Sequence, residues 1–173
     1  LHRKPIGVVG SITPWNWPVM IACWHIIPAV RTGNTVVIKP SPLTPLSTIR
    51  LVEIINEVLP PGVVNVITGE NSIGAALSAH PGIAKMTFTG STETGKKVMA
   101  SAVGTLKRLT LELGGKCPVL VHGSCDLRLA ARRIAYPKWS FAAGQTCIAP
   151  DYVVVEKSVC ARFVEALKQA MAE

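Results

Sequence analysis

The stretch TVVIKPSPLTPLSTIRLVEIINEVLPPGVVNVIT, residues 35–68, carries a complete strand–helix–strand pattern. It begins with the β-branched run TVVIK at 35–39, and residues 46–59 then repeat apolar side chains at the spacing of a helix. The sequence PPG at 60–62 ends that helix before a second β-branched run at 63–68. Two strands joined by a helix predict a βαβ unit, in which the strands lie parallel in one sheet.

The rest of the chain repeats this alternation. Further strands are predicted at 6–12, 85–89, 108–113 and 118–122, and further helices at 91–103, 126–139 and from 158 to the end. Most of the strand runs are almost entirely apolar, which is typical of parallel strands buried on both faces. The pattern therefore predicts an α/β fold with a doubly wound, mostly parallel sheet. Glycines at 114 and 115 predict a boundary, with a first domain at 1–114 and the beginning of a second α/β domain at 115–173.

Composition narrows the class of protein. The chain has 173 residues, of which 49% are hydrophobic, and a formal net charge of +8. That length suits one domain or a piece of a larger protein, and the apolar excess predicts faces that meet protein outside this chain. The basic residues are dispersed rather than gathered in runs with aromatic neighbours. We therefore expect no nucleic-acid partner and only a weak attraction for anionic ligands such as phosphates.

Cysteine usage and hydropathy argue against three further classes. Five cysteines without regular spacing argue against a disulfide framework and for a reducing compartment, so we expect a cytoplasmic protein. No C-x-x-C or H-x-x-x-H pair occurs, and we expect no metal site. The longest apolar run, residues 17–30, is interrupted by His25 and Pro28 and is shorter than the roughly 18 residues of a membrane span. We expect no such span.

Two motifs at predicted strand ends could hold an anionic ligand. In FTGSTETG, residues 88–95, a strand ends at Thr89 and Gly90 and a helix begins with hydroxyl side chains. The N–H groups at a helix N-terminus suit a phosphate, although a plain capped helix explains the same residues. Lys39 lies at the carboxyl end of its strand, where open α/β sheets bind ligands; the alternative is a solvated lysine.

Three residues carry groups suited to acyl chemistry. Glu112 stands in TLELGGK, where a carboxylate either faces solvent at a strand end or acts as a general base in a cleft. Asn16 lies in TPWNWP, and its amide could stabilise an oxyanion or form an Asx-turn. Cys147 lies in FAAGQTCIAPD, where Gly144 permits close approach of a ligand; the alternative is an inert buried thiol.

Taken together, these motifs resemble one family. The sequences GSITPWNWP, VVIKPSPLTP, PPGVVNVITG, FTGSTETG, LELGGK and GQTC occur in the order found in the NAD(P)-dependent aldehyde dehydrogenase superfamily and cover nearly the whole chain. The resemblance implies a partial, Rossmann-like cofactor domain at 1–114 and the truncated beginning of a catalytic domain at 115–173. It also implies an oxidoreductase that converts an aldehyde to a carboxylic acid with NAD or NADP, through a cysteine thiohemiacetal and a thioester.

The resemblance assigns catalytic roles to three residues. Cys147 would be the nucleophile, Glu112 the general base and Asn16 an oxyanion donor. The residue types suit these roles, because a thiolate attacks an aldehyde carbon readily. A carboxylate can likewise activate the water that hydrolyses a thioester.

The resemblance also implies a cofactor site. Lys39 would hold the adenosine ribose, and Gly90, Ser91 and Gly95 would frame the pyrophosphate-binding turn. The implied cofactor-binding residues are, in full, Ile12, Thr13, Pro14, Trp15, Lys39, Ser41, Pro42, Thr89, Gly90, Ser91, Gly95, Leu113 and Gly114.

The chain departs from the family pattern at four positions. Pro42 stands where many NAD-preferring members carry a glutamate that grips the ribose hydroxyls, so the resemblance leaves cofactor preference open. Ala142 takes the place of an asparagine before the Gly-Gln pair. His25 replaces a lysine near the water path, and Cys117 replaces a serine or another small residue.

Family members are several times longer than this chain. The resemblance therefore implies a central fragment of a homo-oligomer, a dimer or tetramer when complete, and we expect the fragment to be inactive by itself. Two alternatives remain. One is a CoA-acylating aldehyde dehydrogenase, against which Glu112 argues because that branch generally lacks the base at this position. The other is a nucleotide-binding relative without turnover.

Overall fold

The computed structural model describes residues 4–173, apart from the side chain of Phe141. The chain folds into two compact units, of which the first ends at Leu113 and the second is Gly114–Glu173. The roles of a cofactor domain and a catalytic domain stay predictions for these two units.

Over the described residues, the first unit is a five-stranded parallel sheet flanked by four helices. The strand order is β3-β2-β1-β4-β5, and each neighbouring pair is parallel, which confirms the predicted α/β fold. The elements are, in chain order, β1 (Val8–Ile12), α1 (Pro18–Arg31), β2 (Thr35–Lys39), α2 (Leu46–Asn56), β3 (Val64–Val66), α3 (Asn71–Ala79), β4 (Lys85–Thr89), α4 (Thr92–Ala102), a 3-10 turn (Val103–Thr105) and β5 (Arg108–Glu112).

Apolar clusters on both faces of this sheet make it doubly wound. On one face, side chains of β1, β2 and β3 pack against α1 and α2, with a core of Val9, Ala22, Ile26, Ala29, Val36, Ile38, Val52 and Val64. On the other face, β4 packs against α3 and α4, with a core of Leu77, Ile83, Met86, Phe88 and Val98. Burial of these side chains supplies the main driving force for forming the unit.

The two last strands of the sheet are polar on one face. Met86 and Phe88 of β4 are buried in the second cluster, and the alternating geometry of a strand turns Thr87 and Thr89 toward the opposite face. β5 alternates in the same way, and its exposed residues are Arg108, Thr110 and Glu112. β5 is thus an exception to the mostly apolar strand runs, and polar side chains of β4 and β5 lie on this face of the sheet.

Asn34 joins the end of α1 to the start of β1. Its Oδ1 accepts hydrogen bonds from the backbone N–H groups of Ile6 at 2.7 Å and Gly7 at 3.1 Å. Its Nδ2 donates to the carbonyl of Ala29 in the last turn of α1, at 3.1 Å. Gly33, with φ of 80°, supplies the left-handed residue that ends the helix. The loop therefore holds β1 in a defined position relative to α1.

The second unit contains a two-stranded parallel sheet, β6 (Cys117–Val121) and β7 (Pro150–Val155), with helices α5 (Leu127–Ala135) and α6 (Cys160–Ala172). Its core consists of Val121, Ala131, Ile134 and Phe163. Between α5 and β7 the chain forms a π-helical turn (Tyr136–Ser140) and a 3-10 turn (Phe141–Gly144). A second 3-10 turn (Lys157–Val159) precedes α6.

The sequence pattern misses α3 and β7 and places the C-terminal ends of α2 and α5 too late, since α2 ends at Asn56 and not at residue 59. The prediction runs to residue 139, but α5 ends at Ala135, because Pro137 lacks the N–H that a continuing α-helix needs. The apolar run at 17–30 forms α1, which begins with a proline in its first turn. In the part of the chain that the structure describes, no helix has both the length and the apolar character needed to cross a membrane.

His25 is a buried histidine on α1 with polar partners on two strands. Its Nδ1 lies 2.7 Å from Ser11 Oγ on β1, and its Nε2 lies 3.2 Å from Thr89 Oγ1 on β4. Burial, and to a smaller extent the charge of Lys85, lowers the pKa of His25 to about 4. The folded protein therefore holds this imidazole neutral over the whole range above that pH.

We expect the free energy of unfolding to fall as the pH drops from 6.5 to about 4. In this window the unfolded chain binds a proton at His25 that the folded chain does not bind. The contribution of neutral His25 to the free energy of unfolding is therefore complete above the unfolded pKa and is lost as the pH falls to the folded pKa. The loss corresponds to roughly 3 kcal/mol. Urea unfolding at a series of pH values measures it.

The variant His25→Gln provides the control, because its amide is uncharged in this range and keeps a polar group near Thr89. The part of the pH dependence that belongs to His25 is the difference between the two proteins. Identical slopes between pH 4 and 6.5 in both would show that His25 is not the titrating group.

Candidate functional site

The carboxyl ends of the parallel strands meet at one edge of the first unit's sheet, here called the carboxyl edge. β1 lies between β2 and β4, and Ile12 at its end pairs with Lys39 on one side and Phe88 on the other. From β1 the chain continues through β2 to β3, and it then crosses to β4 and β5 on the opposite side. The crevice between β1 and β4 is therefore the topological switch point, where open α/β sheets bind ligands.

Thr13 and Lys39 place buried polar groups at this point. Lys39 is only 3% exposed, and its Nζ donates to the carbonyl of Pro40 at 3.1 Å. Burial lowers the pKa of Lys39, and the charge of Glu70 opposes that shift. The Oγ1 of Thr13 is buried and has no hydrogen-bond partner among the described residues. Ligand oxygens at the carboxyl edge would satisfy both side chains, so these residues fit a polar ligand.

The turn between β4 and α4 has the form of a capped helix. Ser91 Oγ accepts a hydrogen bond from the Thr94 N–H at 3.2 Å and donates to Thr94 Oγ1 at 2.9 Å. The Gly90 N–H donates to the carbonyl of Glu112 at 3.0 Å, which joins this turn to the end of β5. The first N–H groups of any helix lack acceptors within the helix, so this end also suits an anion. The cap is observed, and the phosphate role of the turn stays a prediction.

Gly95 and Leu113 lie against each other. Gly95 is buried in α4, and a Cβ at this position would collide with Cδ2 of Leu113. The absence of a side chain therefore lets α4 pack closely on the end of β5, and packing is sufficient to explain this glycine. Gly114, the next residue, is exposed and begins the second unit.

The loops after β1 and β2 contact each other at the same edge. Thr44 Oγ1 donates a hydrogen bond to the carbonyl of Trp15 at 3.0 Å. Pro14, which directly precedes Trp15, is half-buried. Ser41 is half-buried and Pro42 is exposed, both in the loop that follows β2. The structure thus brings the predicted cofactor-binding residues of the first two loops to the carboxyl edge.

Glu112 lines a pocket on the polar face of the sheet. The pocket has a volume of about 460 Å³, and His25, Thr89 and Thr110 also line it. Glu112 is itself exposed at the end of its strand, and its role as a general base stays a prediction. His25 is neutral at physiological pH, so it does not add the positive charge that a lysine at position 25 would bring to this pocket, which Lys85 also lines. Asn16 lies half-buried in the bend before α1.

Cys147 lies in the second unit, in the turn that precedes β7, and it is exposed. The alternative of a buried thiol is therefore wrong. Ala142, Ala143 and Gly144 leading to it have φ angles of 51°, 50° and 73°, all left-handed. A Cβ at position 144 would lie 2.7 Å from the carbonyl oxygen of Lys138, so this turn requires glycine by backbone angle and by space.

Sequence reasoning missed the groups that surround this turn. Asp151 Oδ2 lies 2.6 Å from Lys116 Nζ, and Asp151 Oδ1 lies 3.2 Å from Lys138 Nζ. The hydrogen bond from Lys116, and then that from Lys138, holds the pKa of Asp151 below its usual value. The Cys117 thiol donates to the carbonyl of Cys147. In the sequence, only the departure from the family pattern at Cys117 pointed to any of these neighbours of the turn.

Within residues 4–173, no group of three or more His, Cys, Asp and Glu side chains is placed to hold a metal ion.

Comparison with known proteins places this site in a family. The model of the aldehyde dehydrogenase family matches residues 1–173. PnpE from Pseudomonas sp. WBC-3, solved alone and with nicotinamide adenine dinucleotide, is 43% identical with a TM-score of 0.92, and the match covers 96% of this chain and 34% of that one.

Two further solved structures give similar values. Betaine aldehyde dehydrogenase from Staphylococcus aureus, in complex with NAD+, is 41% identical with a TM-score of 0.89, over 94% of this chain and 32% of that one. An NAD-dependent aldehyde dehydrogenase from Sinorhizobium meliloti is 41% identical with a TM-score of 0.91, and the match covers 95% of this chain and 33% of that one. The chain thus spans about a third of the length of these relatives. It belongs to the aldehyde dehydrogenase family.

Proposed function

We propose that the protein that carries this chain oxidises an aldehyde to a carboxylic acid with NAD or NADP. The observation that carries the proposal is the family match over all 173 residues. In this chain Cys147 is exposed and follows a turn that requires glycine at position 144. Aldehyde-dependent formation of the reduced nicotinamide, followed by its absorbance, tests the proposal. Absence of that signal with aliphatic, aromatic and semialdehyde substrates would count against it.

The residues at the carboxyl edge fit a dinucleotide. Lys39 has two N–H donors beyond the one given to Pro40, and together with the buried Thr13 Oγ1 they suit ribose hydroxyls. The N-terminus of α4, at Gly90 and Ser91, suits the pyrophosphate. Structures of the relatives PnpE and betaine aldehyde dehydrogenase contain this cofactor. When bound, NAD(P)+ accepts a hydride from the substrate carbon.

The chain's own residues supply the acyl chemistry. The Cys147 thiolate bonds to the aldehyde carbon, and the carbonyl oxygen takes up the electron pair as an oxyanion. The Asn16 amide and the Cys147 backbone N–H donate hydrogen bonds to that oxyanion. After the oxidation, Glu112 takes a proton from water, which attacks the thioester carbon. The C–S bond then breaks, and the thiolate and the carboxylic acid are released.

We also infer that the complete protein is a homo-oligomer that works in the cytoplasm. Large apolar side chains on α1 and α2 are exposed, among them Trp24, Ile27 and Ile54, and such surfaces mark contacts with protein. All five cysteines are free thiols, as a reducing compartment favours. Sedimentation analysis of the purified protein tests the first inference, and a monomer at micromolar concentration would contradict it. Fractionation of the cells that make the protein tests the second.

Replacement of Cys147 and Glu112 separates the two half-reactions. We expect Cys147→Ser to abolish reduction of the cofactor, because the hydroxyl is a far weaker nucleophile. We expect Glu112→Gln to keep a first burst of reduced cofactor, because acylation does not need the base. Its steady-state rate should fall about 10²- to 10⁴-fold, the usual contribution of a general base. Stopped-flow and steady-state absorbance measure both phases.

Matched variants control for the loss of a thiol or a carboxylate as such. Cys160→Ser changes another exposed cysteine, at the start of α6, and Glu93→Gln changes an exposed glutamate paired with Lys97. Both should keep the activity of the parent protein. Full activity of a Cys147→Ala protein would refute the assignment of the nucleophile.

Pro42 should set cofactor preference. It stands exposed in the loop after β2, close in sequence to Lys39, and it brings no carboxylate to repel a 2′-phosphate. We expect the protein to use NADP at least comparably with NAD, and Pro42→Glu to shift the ratio of kcat/KM toward NAD by about tenfold, or about 1.4 kcal/mol. Pro42→Gln, of equal size but uncharged, should shift it much less. A preference of the parent protein for NAD beyond tenfold would contradict the proposed use of NADP.

A further inference from the structure

Two of the five cysteines, Cys117 and Cys147, are close neighbours in the second unit. Cys117 begins β6 and pairs with Pro150 at the start of β7, and Cys147 precedes that strand by a short turn. The Cys117 thiol donates a hydrogen bond to the carbonyl oxygen of Cys147, with an Sγ···O distance of 3.1 Å. One thiol therefore lies against the backbone of the residue that carries the other.

This separation is within the range that a disulfide can bridge. A carbonyl oxygen lies about 2.4 Å from the Cα of its own residue, so the Cys117 sulfur is within about 5.5 Å of the Cys147 Cα. The Cys147 sulfur lies about 2.8 Å from its own Cα, so a rotamer of Cys147 can bring it into contact with the Cys117 sulfur, as formation of an S–S bond requires. Cys147 is exposed and Cys117 is half-buried, so rotation about the Cys147 Cα–Cβ bond can bring the sulfurs together.

Ion pairs hold the backbone on both sides of this pair. The carboxylate of Asp151 contacts Lys116, which directly precedes Cys117, at 2.6 Å. Its other oxygen contacts Lys138 in the π-helical turn, at 3.2 Å. Because Asp151 follows Cys147 closely in the chain, these contacts join the starts of β6 and β7. The two cysteines can therefore meet without refolding of the unit.

The other cysteines of this unit lie toward the opposite end of the sheet. Cys125 follows the end of β6, and the strand from Cys117 to Val121 spans about 13 Å. Cys160 begins α6, after the end of β7. Cys117 is thus the thiol placed to react with Cys147.

We propose that Cys117 and Cys147 are a modification site that forms a reversible disulfide when the protein meets a hydroperoxide. The hydroperoxide transfers one oxygen to the Cys147 sulfur as its O–O bond breaks, which gives a sulfenic acid and releases water or an alcohol. The Cys117 thiol then attacks that sulfur. The S–S bond forms, the S–O bond breaks, and the hydroxyl leaves as water with the thiol proton. A dithiol restores both cysteines by exchange.

The effect on activity rests on the proposed function, in which Cys147 is the nucleophile. In the disulfide its sulfur cannot attack an aldehyde, so activity is lost but can be recovered. Without Cys117, a second oxidation takes the sulfenic acid to the sulfinic acid, which a dithiol does not reduce. Cys117 is therefore a protecting partner for Cys147.

Peptide mapping of the intact protein tests the disulfide without any reference to activity. The protein is treated with hydrogen peroxide in small molar excess and digested with trypsin without reduction. We expect the peptide 117–128 to be linked to the peptide 139–157, and the link to disappear with dithiothreitol. Since the first peptide also contains Cys125, the variant Cys125→Ser is mapped in parallel and should keep the link.

Recovery of activity tests the consequence. After peroxide and then dithiothreitol, the parent protein and Cys125→Ser should regain their starting activity. Cys117→Ser should be active before treatment and stay inactive afterwards, with Cys147 found as the sulfinic acid. Sulfinic Cys147 beside an unmodified Cys117 in the parent protein would overturn the proposal. If the link forms but Cys147→Ser is active, the proposed function fails and the disulfide stands.

Discussion

The parallel pairing of β1 with both β2 and β4 is the constraint on which the first unit depends. Parallel strands end at a common edge, so this pairing brings the residues after Ile12, Lys39 and Thr89 together although they are far apart in the chain. The register is held because the apolar clusters on the two faces contain different side chains, and a slip by one residue would turn each buried side chain of a strand to the opposite face. The crevice at the switch point follows from this order of strands.

The two buried lysines of the first unit, Lys39 and Lys107, differ in the number of hydrogen bonds that they donate within the protein. Lys107 donates to the carbonyls of Ser78 at 2.7 Å and His80 at 2.9 Å, and these bonds join the start of β5 to the end of α3. Lys39 Nζ donates to the single carbonyl of Pro40, and the carbonyl of Lys39 accepts a hydrogen bond from the backbone N–H of Thr13. Burial lowers the pKa of both lysines. The less completely bonded one lies at the carboxyl edge, as a ligand site requires.

In the second unit, backbone strain and ion pairs determine the position of the Cys147 thiol. Left-handed alanines such as Ala142 and Ala143 each cost roughly 1–2 kcal/mol, because this conformation brings the Cβ too close to the following carbonyl oxygen. The close approach of Gly144 to Lys138 and the contacts of Asp151 hold this turn in place. The strain is concentrated in the segment that presents Cys147, as at many functional sites.

The sequence by itself determined the alternation of strands and helices, the parallel doubly wound class and the family motifs, because these depend on local periodicity and on short runs of residues. It also identified Cys147, Glu112 and Lys39, each of which lies in such a run. Prediction from local patterns failed where a proline interrupts a helical pattern and where an element is too short to show a clear periodicity. α5 ends early at Pro137, and α3 and β7 are too brief or irregular to stand out.

Only the tertiary structure decided the order of the strands, the burial of Lys39, the bonds of His25 to Ser11 and Thr89, and the contact between Cys117 and Cys147. Each of these joins residues that are distant in the chain. Such contacts arise from the packing of helices on a sheet and from side-chain directions across neighbouring strands, and no periodicity within one segment records them.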